Sequence, residues 1–270
     1  MKNVALFSPP RSGSSWIGSL IGGHPKVVFR FQPLFSFGHR GAIKENSTGA
    51  EIEEATLRIL NSDDSFATMR DSYFDFMPHS VRTAEDPSHL LWKETRFLQI
   101  AETLLKRSDY TVIGLLRNPF DTLSSWMGAP REFSSDWKIS EEWLNAPKKN
   151  SEDPDNWFGF KKWLEAALLF LRLELEYPER FMILTYDEFI NNPHKRLKEA
   201  LSTLELEDHR QVHELLDSTM TRADSNPYSI FKSSKTLATV PHEIEIQIKD
   251  ILSSSMSSEA LRLFGPDFLD

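Results

Sequence analysis

Val4-Ala5-Leu6-Phe7-Ser8-Pro9-Pro10-Arg11-Ser12-Gly13-Ser14-Ser15-Trp16-Ile17 is the stretch on which the reading of this chain turns. Its four leading apolar residues read as a buried strand, the next eight as a turn rich in small residues. Trp16, Ile17, Leu20 and Ile21 then recur at helical spacing. A strand that runs through such a turn into a helix offers backbone N–H groups and a positive helix end to an anion. Gly13 lets the backbone come close to a phosphate, Ser14 and Ser15 add hydroxyl donors, and Arg11 adds a fixed charge with several N–H donors. Serine and glycine also make ordinary turns and helix caps, so the loop taken alone is either an anion site or a plain turn.

The same rhythm continues outward. Short apolar runs at 26–31, 90–93, 111–116 and 181–184 read as further strands, and helical patterns cover 50–61, 97–106, 120–127, 158–176 and 193–204. Strands that alternate with helices imply an α/β fold, a mostly parallel central sheet with helices on both faces. The chain of 270 residues is long enough for one domain over 1–270 with a lid-like insertion. The insertion is expected at 128–156, where prolines and charges break the periodicity. Five of the seven tryptophans fall at or near it, Trp126, Trp137, Trp143, Trp157 and Trp163. Trp157 and Trp163 read as core of the following helix, whereas Trp137 or Trp143 could offer a flat face to a sugar ring.

Composition narrows the chemistry. There is no cysteine, which excludes disulfides, thiolate nucleophiles and iron–sulfur clusters, so the working groups must be O and N. With 31 Lys+Arg against 40 Asp+Glu the net charge is −9, which argues against a nucleic-acid partner and requires any anionic ligand to be held by local cations. No apolar run approaches the roughly 18 residues of a membrane span, and no signal-peptide pattern opens the chain; the expectation is a soluble, cytoplasmic protein. His209 and His213 stand four apart with no third ligand in view, so no metal is expected.

The nucleotide loop of phosphoryl-transfer enzymes is Gly-x-x-x-x-Gly-Lys-Ser/Thr, and here Gly-Lys is missing. The run Val112-Ile113-Gly114-Leu115-Leu116 ends in Arg117, not in the acidic residue that would hold magnesium. Pro10-Arg11-Ser12-Gly13-Ser14-Ser15-Trp16 instead resembles the 5′-phosphosulfate loop of sulfotransferases that use 3′-phosphoadenosine 5′-phosphosulfate (PAPS). The arginine form is closest to the carbohydrate and bacterial branches of that family. Leu116-Arg117-Asn118-Pro119-Phe120-Asp121-Thr122-Leu123-Ser124-Ser125 is similar to the family's second motif, a strand ending in Arg with a serine eight residues later.

The resemblance implies a P-loop-like three-layer fold. It implies transfer of a sulfuryl group from PAPS to a hydroxyl of a carbohydrate, glycolipid or similar polar acceptor, leaving adenosine 3′,5′-bisphosphate (PAP), with no metal. By it, Arg11, Ser12, Gly13, Ser14 and Ser15 would hold the 5′ side, and Arg117 and Ser125 the 3′-phosphate. Tyr186, in a segment like the family's Tyr-Glu-Asp-Leu…Pro, would lie near the adenine, as would Trp16. Phe231-Lys232-Ser233-Ser234-Lys235 could close over the 3′-phosphate through Lys232 and Lys235, although the family's Gly-rich form is absent. Tyr186 also reads as packing, and the late loop as a solvated basic turn.

Arg11 and Lys93 are the candidate catalytic cations, since negative charge grows on the bridging oxygen during transfer. Lys93 also reads as a solvated strand end. The base is not where relatives carry it: Gln32 stands at a carboxylate position and Thr95 at a histidine position. His39 and Glu94 are the remaining base candidates, the first also readable as a loop residue and the second as an ion-pair partner of Lys93 or Arg96; a base from the lid or from the substrate is left open. A magnesium-dependent phosphoryl-transfer enzyme and a non-catalytic nucleotide- or glycan-binding relative are the alternative functions. The partners implied are a hydroxyl-bearing small molecule or glycan, with a homodimer left open.

Overall fold

A computed structural model of the chain describes residues 1–153, 155–233 and 238–269. The chain begins β1 (Lys2–Phe7), α1 (Ser14–Gly22), β2 (Val27–Phe31), α2 (Gly49–Leu60), α3 (His79–Arg82), β3 (His89–Glu94) and α4 (Ile100–Arg107). It continues with β4 (Thr111–Leu116), α5 (Pro119–Met127), two short helices α6 (Ile139–Glu142) and α7 (Pro147–Ser151), α8 (Phe160–Glu176) and β5 (Phe181–Thr185). After α9 (Tyr186–Asn191), α10 (Pro193–Thr203) and α11 (Arg210–Thr221), a two-residue pair β6 (Ala223–Asp224) and β7 (Lys232–Ser233) precedes α12 (His242–Ser255) and α13 (Ser257–Phe264).

Five strands form one sheet in the order β2-β3-β1-β4-β5, and every pairing is parallel. Alternation along each strand sends side chains to two faces. Val4, Leu6, Leu91 and Ile113 meet Ile17, Leu20 and Ile21 of α1, Leu197 and Leu201 of α10, and Val212 of α11. Ala5, Phe7, Trp92 and Val112 meet Leu104 of α4, Phe170 of α8 and Ile248 of α12 on the other face. The result is the three-layer α/β architecture expected of a parallel sheet.

Because β1 lies between β3 and β4, the chain first winds toward β2 and β3 and then crosses back to β4. Such a reversal opens a crevice at the C-terminal ends of the strands. The ends of β1, β3 and β4, with Ser8, Thr95 and Arg117 following them, therefore converge on one place.

The strands begin and end within two residues of their expected limits. Two helices start late for local reasons. The helix expected from 97 begins at Ile100 because Phe97 takes a φ of 56°, and the one expected from 158 begins at Phe160, after Gly159 at a φ of 86°. The irregular 128–156 stretch carries α6 and α7 and is anchored by buried Phe133, Trp143 and Ala146. Among the described residues no helix is long and apolar enough to cross a membrane.

Candidate active site

The 8–15 loop is held open by its backbone. Arg11 and Gly13 both take positive φ, 68° and 89°, and Gly13 caps α1. A Cβ on Gly13 would lie 2.7 Å from Tyr186 Cε2 and closer still to Cδ2, so glycine is required by both the backbone and the space. No side chain caps α1, and its first turn carries no acid. Ser8 Oγ and Ser12 Oγ are buried without a hydrogen-bond partner among the described residues. A helix end left free of capping side chains, with unpaired hydroxyls beneath it, suits a ligand with many acceptor oxygens.

Arg11 bridges the two motifs. Its Nε donates to Ser125 Oγ at 3.2 Å and its Nη2 to the Pro227 carbonyl at 2.7 Å. Arg117, at the end of β4, donates to Asp121 Oδ2 at 3.3 Å and stands over the Tyr186 ring with Cζ 4.5 Å from its centroid. Its Nε is buried and has no hydrogen-bond partner among the described residues. Asn118 caps α5, and both its backbone N–H and its amide donate to Asp187, which ties the end of β4 to the start of α9. Trp16 meets Tyr186 edge-on at 5.7 Å and donates through Nε1 to Thr219 at 2.8 Å. Burial pushes the Tyr186 hydroxyl up from its ordinary value, against the pull of Arg117.

Lys93 is 2% exposed, so it is not the solvated strand end that its position also allowed. Its Nζ donates to Ser15 Oγ at 3.2 Å and lies 4.0 Å from the centroid of the Phe31 ring. Burial brings its ammonium down to about 7, with Glu94 and Glu132 pulling the other way. Gln32 and Thr95, the two positions without a base, bond to each other, Nε2 to Oγ1 at 2.5 Å.

The two base candidates lie apart from this group. Glu94 is the next residue on β3 and packs on the opposite face of the sheet from Lys93. It accepts from the Leu34 N–H at 2.7 Å rather than pairing with Lys93 or Arg96, and burial raises its carboxyl to about 8. A carboxyl protonated at neutral pH is a poor base. His39 is buried with Nε2 2.6 Å from Ser62 Oγ, near charges of α2 and the 62–64 turn, and burial lowers it. Lys235 lies outside the described residues, and only the strand position of Lys232 is described.

Tyr73, Tyr228, Arg131 and Glu132 join the group without a sequence signal of their own. Tyr73 and Tyr228 stand 6.2 Å apart, and Arg131 lies over both rings at 5.1 and 5.2 Å. Glu132 Oε2 is 3.5 Å from Arg11 Nη1. Phe31, Phe66 and Phe74 extend the aromatic wall from Lys93 toward Tyr73. Their one hint was that the irregular stretch and the Asn226-Pro227-Tyr228 turn carry charged or aromatic residues where a plain loop needs none. The tryptophan reading needs correction at Trp143, whose face is covered by Phe160 in a stacked pair at 6.1 Å. Trp163 is core as expected and donates to the Arg117 carbonyl at 2.9 Å.

A parallel α/β sheet whose central strand runs through a small-residue loop into a helix, with an arginine at the end of the adjacent strand, is a P-loop-like α/β fold. The sequence profile of the sulfotransferase domain matches residues 2–252, and the chain belongs to that family. Among solved structures, a sulfotransferase from Alicyclobacillus acidocaldarius shares 14% identity at a TM-score of 0.53, covering 97% of this chain and 94% of that one. Mouse sulfotransferase SULT7A1 complexed with PAP shares 14% at 0.55, covering 96% and 85%. Retinol dehydratase in complex with retinol and PAP shares 11% at 0.53, covering 96% and 82%. At these identities the structures speak for the fold. No curated protein matches the sequence.

Proposed function

We propose that the chain transfers the sulfuryl group of PAPS to a hydroxyl of a ring-bearing acceptor, a carbohydrate, glycolipid or similar molecule, and releases PAP. Family membership carries the reaction class, and PAP accompanies both the mouse enzyme and retinol dehydratase in their structures. The observation that supports the reading most is the junction of the two anion loops. Arg11 reaches Ser125, Lys93 reaches Ser15, and Ser8, Ser12 and Arg117 bring buried polar atoms with no partner among the described residues.

Bound PAPS supplies a sulfuryl group on a bridging oxygen that gains negative charge as transfer proceeds. Arg11 and Lys93 would stabilise that charge, more in the transition state than before it. Ser12, Gly13, Ser14 and Ser15 would hold the 5′ side, Arg117 and Ser125 the 3′-phosphate, and Trp16 and Tyr186 the adenine. Lys232 and Lys235 are kept as the proposed closing residues. The 128–156 segment would cover the acceptor, and the half-buried rings of Phe66, Tyr73 and Tyr228 favour a molecule with a flat face.

A non-catalytic PAP- or glycan-binding protein is the second reading, and one observation favours it: Gln32 and Thr95 occupy the base positions and satisfy each other. Turnover separates the two. Release of PAP from PAPS, followed chromatographically over a panel of sugars and phenols, is expected in the wild type. Lys93→Met and Arg11→Ala are expected to lower it by about 10² to 10³. Rates equal across all three would contradict catalysis at this site.

A further inference from the structure

We propose that Glu132 is the general base that takes the acceptor's hydroxyl proton; the inference rests on the sulfotransferase reading above. The reaction needs such a group, since a hydroxyl is a weak acid and a poor nucleophile while it holds its proton. Gln32 and Thr95 cannot serve, Glu94 lies on the other face of the sheet, and His39 is committed to Ser62.

Glu132 is a carboxylate beside Arg11, one of the two candidate catalytic cations. Its Oε2 is 3.5 Å from Nη1 of Arg11, and the same atom is buried with no hydrogen-bond partner among the described residues. The side chain as a whole keeps 27% of its surface exposed, so the carboxylate sits at the edge of the crevice rather than in the core. Its charge is felt at Lys93 and at the two tyrosines of the aromatic wall, Tyr73 and Tyr228. Tyr73 is no rival, because burial pushes its hydroxyl up to about 12.

The backbone around Glu132 is built to hold it still. Its own N–H and that of Phe133 both donate to the Ala129 carbonyl at 2.8 Å. Trp126 Nε1 donates to the Glu132 carbonyl at 3.0 Å, and Phe133 is buried edge-on against Trp126 at 5.1 Å. A loop carboxylate fixed by α5 in this way keeps its aim, which general-base catalysis demands.

In the step, the acceptor oxygen forms a bond to sulfur while its proton passes to the Glu132 carboxylate. The bond between sulfur and the bridging oxygen breaks, and its electron pair stays on the 5′-phosphate of PAP beside Arg11 and Lys93. The proton then leaves Glu132 for solvent, which restores the carboxylate.

The test compares wild type with Glu132→Gln and Glu132→Ala. PAPS consumption is measured with water alone and across the same panel of sugars and phenols, 2-naphthol included, and PAP affinity by calorimetry. Glu132→Gln preserves shape and is expected to bind PAP within about threefold of wild type while turnover falls about 10² to 10³-fold. Added formate should restore turnover to Glu132→Ala but leave Glu132→Gln unchanged. Turnover of Glu132→Gln within about threefold of wild type would overturn the assignment. So would a loss of turnover matched by an equal loss of PAP affinity, the mark of a residue that only positions Arg11. A wild type that binds PAP yet consumes no PAPS contradicts the base, whereas one that fails to bind PAP contradicts the sulfotransferase reading itself.

Discussion

Lys93 carries the most telling chemistry of any single residue. Burial brings its ammonium down to about 7, and an anion beside Nζ would stabilise the charged form. Binding of PAP should therefore take up a proton above about pH 7, and affinity should decline as pH rises from 7 toward 10. Calorimetry in buffers of different ionisation enthalpy reads this directly, and Lys93→Met should flatten the slope. The same residue has a stability consequence. Its folded value lies below the ordinary 10.5, so the stability it withholds returns as pH climbs between about 7 and 10.5. Lys93→Met should accordingly melt above wild type below pH 7, with the gap closing toward pH 10. Gly13 offers a second test: Gly13→Ala meets a φ of 89° and the Tyr186 ring together. A loss of about 1–3 kcal/mol in denaturant unfolding is expected, with weakened PAP binding.

At the scale of elements, the site is assembled by contacts between neighbours in space. Trp163 of α8 holds the carbonyl of Arg117 at the end of β4, and Asp187 of α9 holds Asn118 at the start of α5. Trp163→Phe keeps the stacked ring on Phe160 and loses the hydrogen bond, which should lower stability by about 1 kcal/mol and raise the KM for PAPS. The strands were legible because each is a short apolar run cut off by a turn, a pattern set by burial on both faces. The helix starts at Ile100 and Phe160 were not, because a single positive φ at Phe97 or Gly159 depends on packing that periodicity does not encode. Strand order was equally hidden, since β1 pairs with β3 and β4 across long stretches of chain.

Over the whole molecule, the candidate site divides according to how far its residues lie from one another along the chain. Arg11, Gly13 and Ser15, or Arg117 and Ser125, sit within one strand–turn–helix unit, and local spacing exposes them. Glu132, Tyr73 and Tyr228 reach the same crevice from separate irregular segments, where only the folded topology brings them together. The central claim is that the crevice at the ends of β1, β3 and β4 binds the nucleotide of PAPS. Calorimetric titration with PAP, beside magnesium–ATP and an Arg117→Ala variant, tests it most directly. Selective binding of PAP is expected, weakened by at least about tenfold in Arg117→Ala, since a lost charge-assisted pair costs about 1.5–3 kcal/mol. Preference for magnesium–ATP, or PAP binding indifferent to Arg117, would contradict it.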